Sequence, residues 1–320
     1  MIRDDNFKKY LDNGNRVKII CGAGNKDLVG ITNLCALYSA AGVCLFDVNA
    51  SKEAVKAAKK GFEYSGKDKD CFLCVSVGTK NDPHFTKYKI NSRCTNCGKC
   101  ANLCAQSAVS KSGAMLIINA DKCIGCGICA SECEYNAIDS YSVATEFERV
   151  IPPLIELGIN CLEYHIISDS FQNIMTGFEQ ITKLWDGPIS ICLDRSEFGN
   201  IKIKNILTEM KNNCNNLFIV QADGSPMTGG NEDYKSTLQA VAMAEIIEKY
   251  NITPYIFMSG GTNSKTKELA DLCKINYTGL AFGSYARKIV KQYIDDENLL
   301  KNPKLFEEAL KKAQTFIDML

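Results

Sequence analysis

Short apolar runs alternate with amphipathic stretches along most of this chain. The apolar runs at 17–21, 43–48, 72–77, 161–166, 189–193, 217–221, 255–258 and 278–282 have the length of strands. Between them, 28–40, 52–62, 144–157, 170–184, 201–212, 234–250, 264–273 and 285–294 carry helical spacing. Local signals agree. Ala41-Gly42 closes the first helix, Ser51 caps the second, and Gly158 closes the third, which Pro152 and Pro153 are expected to kink. A last amphipathic helix follows at 303–320. Strand and helix alternating eight times predict an α/β fold, a (β/α)8 TIM-like barrel. A doubly wound open sheet is the alternative. No Gly-x-Gly-x-x-Gly follows an early strand, and Cys21-Gly-Ala-Gly24 is only a weak echo of one.

One segment breaks the alternation, between the third strand and the third helix. It holds two runs of identical spacing, Cys94-x2-Cys97-x2-Cys100-x3-Cys104 and Cys123-x2-Cys126-x2-Cys129-x3-Cys133. This is the spacing of a bacterial two-cluster ferredoxin, where each run gives three thiolates to one [4Fe–4S] cluster and its fourth to the other. The expected ligand sets are therefore Cys94, Cys97, Cys100 and Cys133, and Cys123, Cys126, Cys129 and Cys104. Gly98, Gly125 and Gly127 let the loop backbone approach the sulfides. A single run fits zinc as well; two with the x3 step argue against zinc or disulfides. Ala105 and Glu134 stand where a proline usually follows the fourth cysteine, which removes no ligand. The expected division is 1–82 as the first part of the barrel, 83–140 as an inserted ferredoxin-like domain, and 141–320 as the rest. Insertions are tolerated in the loops at the carboxyl ends of barrel strands, so the module is expected over the barrel mouth.

Composition narrows the setting. The formal net charge is zero and no long basic run occurs, which argues against nucleic-acid binding. No apolar stretch is long enough to span a membrane, and the polar N-terminus does not read as a secretory signal. Seventeen cysteines in such a chain imply a reducing, cytoplasmic setting. The nine outside the two runs read mainly as small buried hydrophobes. Cys71-x2-Cys74 is the exception to weigh, as a redox pair. It sits in a strand-like run where i and i+3 face opposite ways, which disfavours that reading.

Candidate chemistry gathers at strand ends. Glycine-rich turns close the last two strands, at Gly260, Gly261, Thr262 and Asn263, and at Gly283, with Ser284 as a helix cap and Arg287 one turn on. Loops after the seventh and eighth strands of barrels commonly hold phosphate on backbone N–H groups. FMN, a nucleotide and a phosphorylated substrate all fit such a site; plain tight turns are the other explanation. Glu163 and His165 share one face of the fourth strand, and Asp223 ends the sixth beside Gln221. These three are the candidate catalytic group. Asp47, Asn49 and Asp194 also end strands, and His84 stands where barrel and insertion meet.

With these residues in view, the chain resembles the light-dependent period modulator family (LdpA), iron–sulfur proteins linked to redox input to the cyanobacterial circadian clock. The resemblance is carried by Ile20-Cys-Gly-Ala23, Phe46-Asp-Val48, Asp82-Pro-His-Phe85 and Glu163-Tyr-His165. It continues through Asp223-Gly-Ser-Pro-Met-Thr-Gly229, Gly260-Gly-Thr-Asn263 and Phe282-Gly-Ser-Tyr-Ala-Arg-Lys288, its most specific stretches. The regular first run sets this chain nearer a plain ferredoxin than the family's clock members. The resemblance implies a redox iron–sulfur protein fused to a barrel. Three functions fit: a ferredoxin-linked reductase passing electrons to FMN or a phosphate-bearing substrate, a redox sensor or adaptor, and an electron-transfer subunit. The acid/base set at the strand ends favours the first. A redox partner protein of ferredoxin or flavodoxin type is expected with it.

Overall fold

The computed structural model describes residues 2–22, 27–78, 86–104, 106–113, 115–123, 125–142, 146–166, 169–194, 198–224 and 233–320. Twelve strands run through the described residues. They are β1 (Arg16–Ile20), β2 (Leu45–Asn49), β3 (Phe72–Gly78), β4 (Thr86–Ile90), β5 (Val109–Ser112) and β6 (Met115–Ile118). The others are β7 (Ile138–Ser142), β8 (Cys161–Ile166), β9 (Ile189–Asp194), β10 (Phe218–Asp223), β11 (Ile256–Ser259) and β12 (Gly279–Phe282). Eight of them close a parallel barrel in the order β1-β12-β11-β10-β9-β8-β3-β2. The eight apolar runs are its strands, as expected.

Alternation along each strand sorts its side chains. On β8, Leu162, Tyr164 and Ile166 face the helices and join the main core, whereas Cys161, Glu163 and His165 face the barrel interior. Helices Leu28–Ala40 and Tyr234–Tyr250 match their expected bounds. Pro152 and Pro153 lie inside helix Phe147–Glu156. The stretch at 285–294 is two short helices, Ser284–Ile289 and Lys291–Ile294, meeting at Val290.

Helix Ile2–Asp12 was not signalled by the sequence pattern. Its Phe7 and Leu11 pack against Leu45, Cys74, Cys161, Ile219 and Phe257 and seal the floor of the barrel. Burying two such side chains stabilises the closed end by about 1.5–3 kcal/mol each.

Between β3 and β8 lie two small antiparallel sheets, β4–β7 and β5–β6, and two short helices, Lys99–Leu103 and Ile128–Ser131. The first and last residues of the segment, Thr86 and Ser142, face each other across β4–β7. Among the described residues no helix is long and apolar enough to cross a membrane.

Candidate functional site

A charged cluster fills the barrel one layer above its floor. Lys18 on β1 donates to Glu163 on β8 at 2.6 Å and to Gln221 on β10 at 2.8 Å. Its Nζ lies 3.6 Å from Asp47 on β2. The Ser76 hydroxyl on β3 sits 2.8 Å from either oxygen of Asp47. Glu163 accepts on both oxygens: Lys18 and the Ser190 hydroxyl (2.8 Å) on one, the Gln221 amide (2.9 Å) and His165 Nε2 (3.0 Å) on the other. A carboxylate has about four acceptor positions, so the set is full.

The electrostatics follow from burial. Burial alone would raise Glu163; Lys18 and His165 overcome it and hold the carboxyl below its ordinary range. Burial would likewise lower Lys18, but Glu163 and Asp47 keep the ammonium well above its ordinary value. Asp47 goes the other way. Burial raises it to about 6, with Lys18 opposing. An ionised Glu163 requires a donor at 3.0 Å, so His165 carries its proton on Nε2.

His165 stands one layer higher, beside Cys192 on β9, whose thiol burial pushes up to about 12. The ligand atoms of Glu163, His165 and Cys192 lie within 4.8 Å of one another. A metal ion there would have to displace one of Glu163's four donors and deprotonate Cys192. Above them, Asp223 accepts from the Ser259 hydroxyl at 2.9 Å. The structure thus places Glu163, His165 and Asp223 on the inner wall. It corrects their depth: Glu163 and Asp47 stand mid-strand, below the mouth.

Lys18, Ser76, Ser190 and Cys192 were missed. Each is an inward residue at strand spacing from another polar or small one, and Lys18 interrupts an apolar run, which was the available signal.

The glycine turns are placed after the seventh and eighth barrel strands. Gly260 has φ +67, and a Cβ there would meet Asp223 Oδ1 at 2.1 Å. Gly261 is also left-handed, at φ +87. Thr262 and Asn263 turn inward: Thr262 donates to the Ala281 carbonyl at 2.6 Å and Asn263 to the Asp233 carbonyl at 2.8 Å. Gly283, not Ser284, is the cap of the next helix, and no side chain caps it. Ser284 is already in the first turn and so cannot stand at the cap. Nor does Gly283 guard a tight space, because a Cβ would meet only Ile20, at 3.7 Å. Arg287 donates to the Cys21 carbonyl at 2.9 Å, at the end of β1.

The cysteine runs fold as a repeat. Cys104 Sγ accepts from the Ala108 N–H at 3.3 Å, and Cys133 Sγ from the Ala137 N–H at 3.3 Å. Gly98 and Gly127 occupy matching left-handed positions, with φ +83 and +73. A cavity of about 190 Å³ is lined by Cys94, Cys97, Cys100, Cys129 and Cys133. Near the second run, burial and then the Cys104 and Cys123 thiols push Cys126 up. A cavity ringed by thiols, of which Cys94 and Cys133 already accept backbone N–H groups, fits an iron–sulfide cube, which spaces its ligands more widely than one ion does. Cys71 and Cys74 do not pair. Cys71 lies against the Val43 carbonyl, whereas Cys74 faces inward beside Cys161. His84, the stretch 225–230 and the Asp194 side chain fall outside the described residues.

Comparisons with known proteins agree with the cysteine loops. Residues 116–139 match the family described as a 4Fe-4S binding domain, and the chain is an iron–sulfur protein. Light dependent period A from Synechococcus elongatus is 27% identical over 332 residues, covering 97% of this chain and 92% of that one. Among solved structures, the YdjI aldolase from Escherichia coli K12 superposes with a TM-score of 0.49 at 7% identity, over 99% of this chain and 94% of that one. A truncated 3-deoxy-D-arabino-heptulosonate 7-phosphate synthase from Thermotoga maritima gives 0.47 at 12% identity, over 95% and 86%. Residues 154–319 match the Light dependent period A C-terminal domain, so the chain belongs to the light dependent period A family.

Proposed function

We propose that this is a cytoplasmic redox protein whose module 83–140 holds two [4Fe–4S] clusters and passes electrons to an acceptor at the mouth of the barrel formed by 1–82 and 141–320. Cys94, Cys97, Cys100 and Cys133 hold one cluster; Cys123, Cys126, Cys129 and Cys104 hold the other. The observation that carries the reading is the cavity of about 190 Å³ whose thiols include the whole first set, with Cys133 arriving from the second run. Bound clusters supply one-electron transfer. The rest belongs to the chain: Gly98 and Gly127 bring the loops close, and the Ala108 and Ala137 N–H groups stabilise thiolate charge.

The acceptor is FMN or a phosphate-bearing substrate, held by the turns at Gly260, Gly261 and Gly283, and the donor is a ferredoxin- or flavodoxin-type protein. His165 then serves as proton source, with Glu163 as the residue that fixes its tautomer. A redox sensor or adaptor is the second reading. It is favoured by the closed state of Glu163, whose acceptor positions are all used internally.

Anaerobic protein should contain about eight irons and eight sulfides. Cys104→Ala should disturb the cluster of the second run, and Cys133→Ala that of the first. Tightly bound zinc without iron would overturn the proposal. Flavin released on denaturation would select the reductase; its absence, with His165→Asn lowering only the melting temperature, would select the sensor.

A further inference from the structure

The two cysteine runs are alike, and so are the strands before them. β4 precedes the first run as β6 precedes the second, which gives Lys87 and Leu116 matching positions. Each side chain crosses to the other run. Leu116 lines the cavity with Cys94, Cys97, Cys100 and Cys133, and its N–H donates to Asn96 at 2.9 Å. Lys87 donates to the carbonyl of Cys123. Both are buried, with 7% exposure for Lys87 and 5% for Leu116. The repeat therefore places a buried cation against one loop and a buried hydrocarbon against the other.

The surroundings differ in the same sense. Cys97 is exposed, whereas Cys123 is buried. A Cβ on Gly98 would meet open space, while one on Gly127 would lie 2.9 Å from the Tyr88 hydroxyl. Lys122, next to Cys123, meets Asp295 at 3.8 Å, just beyond the helices that follow β12. The second loop is the enclosed, barrel-side one.

We propose that Lys87 sets the order of potentials, holding the cluster of Cys123, Cys126, Cys129 and Cys104 above that of Cys94, Cys97, Cys100 and Cys133. This rests on the two-cluster reading above. Reduction adds negative charge to a cluster already carrying four thiolates. Enclosure by itself disfavours that charge, so the barrel-side cluster would otherwise be the harder to reduce. A cation in the same low-dielectric region opposes this, because its attraction is weakly screened there. Leu116 offers no such compensation. An electron from a donor protein, docking where Cys97 is exposed, then comes to rest on the barrel side. The donor is oxidised, the second cluster is reduced, and no bond forms or breaks.

The test is a redox titration followed by electron paramagnetic resonance on the anaerobic full chain. Iron and sulfide content of the parent protein comes first; fewer than two clusters would overturn the underlying reading, and this inference with it. With two clusters present, Lys87→Met should lower one potential and leave the other in place. Lys87→Gln keeps a donor to Cys123 without the charge and should act like Met. Lys87→Arg should keep the parental values. In a Cys133→Ala background the remaining cluster should respond to Lys87→Met; in a Cys104→Ala background it should not. Two unmoved potentials, an equal shift in both, or a shift confined to the Cys104→Ala background would overturn the assignment. So would a parental potential in Lys87→Gln, since the hydrogen bond and not the charge would then be at work.

Discussion

Lys18 and Glu163 meet at 2.6 Å inside the barrel, although 145 positions separate them in the chain. Neither is more than 4% exposed at its side chain. The pair joins β1 to β8 across the interior, and Gln221, Ser190 and His165 complete its hydrogen bonds. Buried charges persist only when paired and bonded in this way.

Lys18→Met should therefore be costly. It leaves Glu163 buried with no cation, a class of change that costs about 3–5 kcal/mol. Urea denaturation of variant and parent measures it. Adding Glu163→Gln should recover part of the loss, because the stranded charge is then gone. A double variant whose loss equals the sum of the two single losses would mean that the pair is not coupled.

Asp47 should give stability a pH dependence of unusual sign. Its folded-state value is raised to about 6, above the ordinary carboxylate range. The folded protein holds this proton more tightly than the unfolded chain does. Its contribution is thus present at low pH and lost as pH rises through about 6, at a slope of at most about 1.4 kcal/mol per pH unit. Glu163 has the opposite sign, since its value is lowered; its contribution is lost as pH falls. Asp47→Asn should gain on the parent protein between pH 5 and pH 7.5 in denaturant titrations. A stability difference that stays flat across this interval would rule out the raised value.

The barrel was legible because its outward faces are apolar at strand spacing and its helices carry caps such as Ser51 and Ser170. The interior was less so. Lys18 lies between Val17 and Ile19, which face the helices, and its burial is decided by partners on β2, β8 and β10. No local pattern reports those partners. Polar inward residues also ended the apolar runs early, so β2 continues to Asn49 and β10 to Asp223. Asp47 and Gln221 consequently read as strand ends when they are interior. Helix Ile2–Asp12 escaped notice because only a narrow stripe, Phe7, Tyr10 and Leu11, is apolar, and the floor it covers does not exist until the barrel closes. The cysteine repeat was readable from spacing alone; the contrast between Lys87 and Leu116 was not, because each contacts the run that it does not precede.

The two glycine turns should respond differently to a methyl group. Gly260→Ala forces a side chain into φ +67, with Asp223 Oδ1 at 2.1 Å and the Gly224 nitrogen at 2.5 Å. A loss of about 1–3 kcal/mol is expected from the backbone alone. Gly283→Ala meets Ile20 at 3.7 Å, an ordinary contact, and should cost under about 1 kcal/mol. Melting temperatures of the two variants decide the matter, and similar losses would contradict it. Phosphate or FMN affinity of Gly283→Ala then reports on the ligand, free of a folding defect.

The module should be removable. β3 and β8 pair directly in the barrel, from Cys74 opposite Cys161 to Gly78 opposite His165, so closure does not depend on what lies between them in the chain. Thr86 and Ser142 are cross-strand partners in the antiparallel pair β4–β7. Such partners have Cα atoms about 4.5–5.5 Å apart, a gap that a short Gly/Ser linker spans easily. Replacing 86–142 by that linker should leave a folded barrel, with far-ultraviolet circular dichroism and a cooperative melt retained and iron binding lost. The ion pair of Lys122 with Asp295 disappears in the process, but at the surface it contributes at most about 1 kcal/mol. An excised protein that melts without cooperativity would show that the segment supports the barrel core and is more than an insertion.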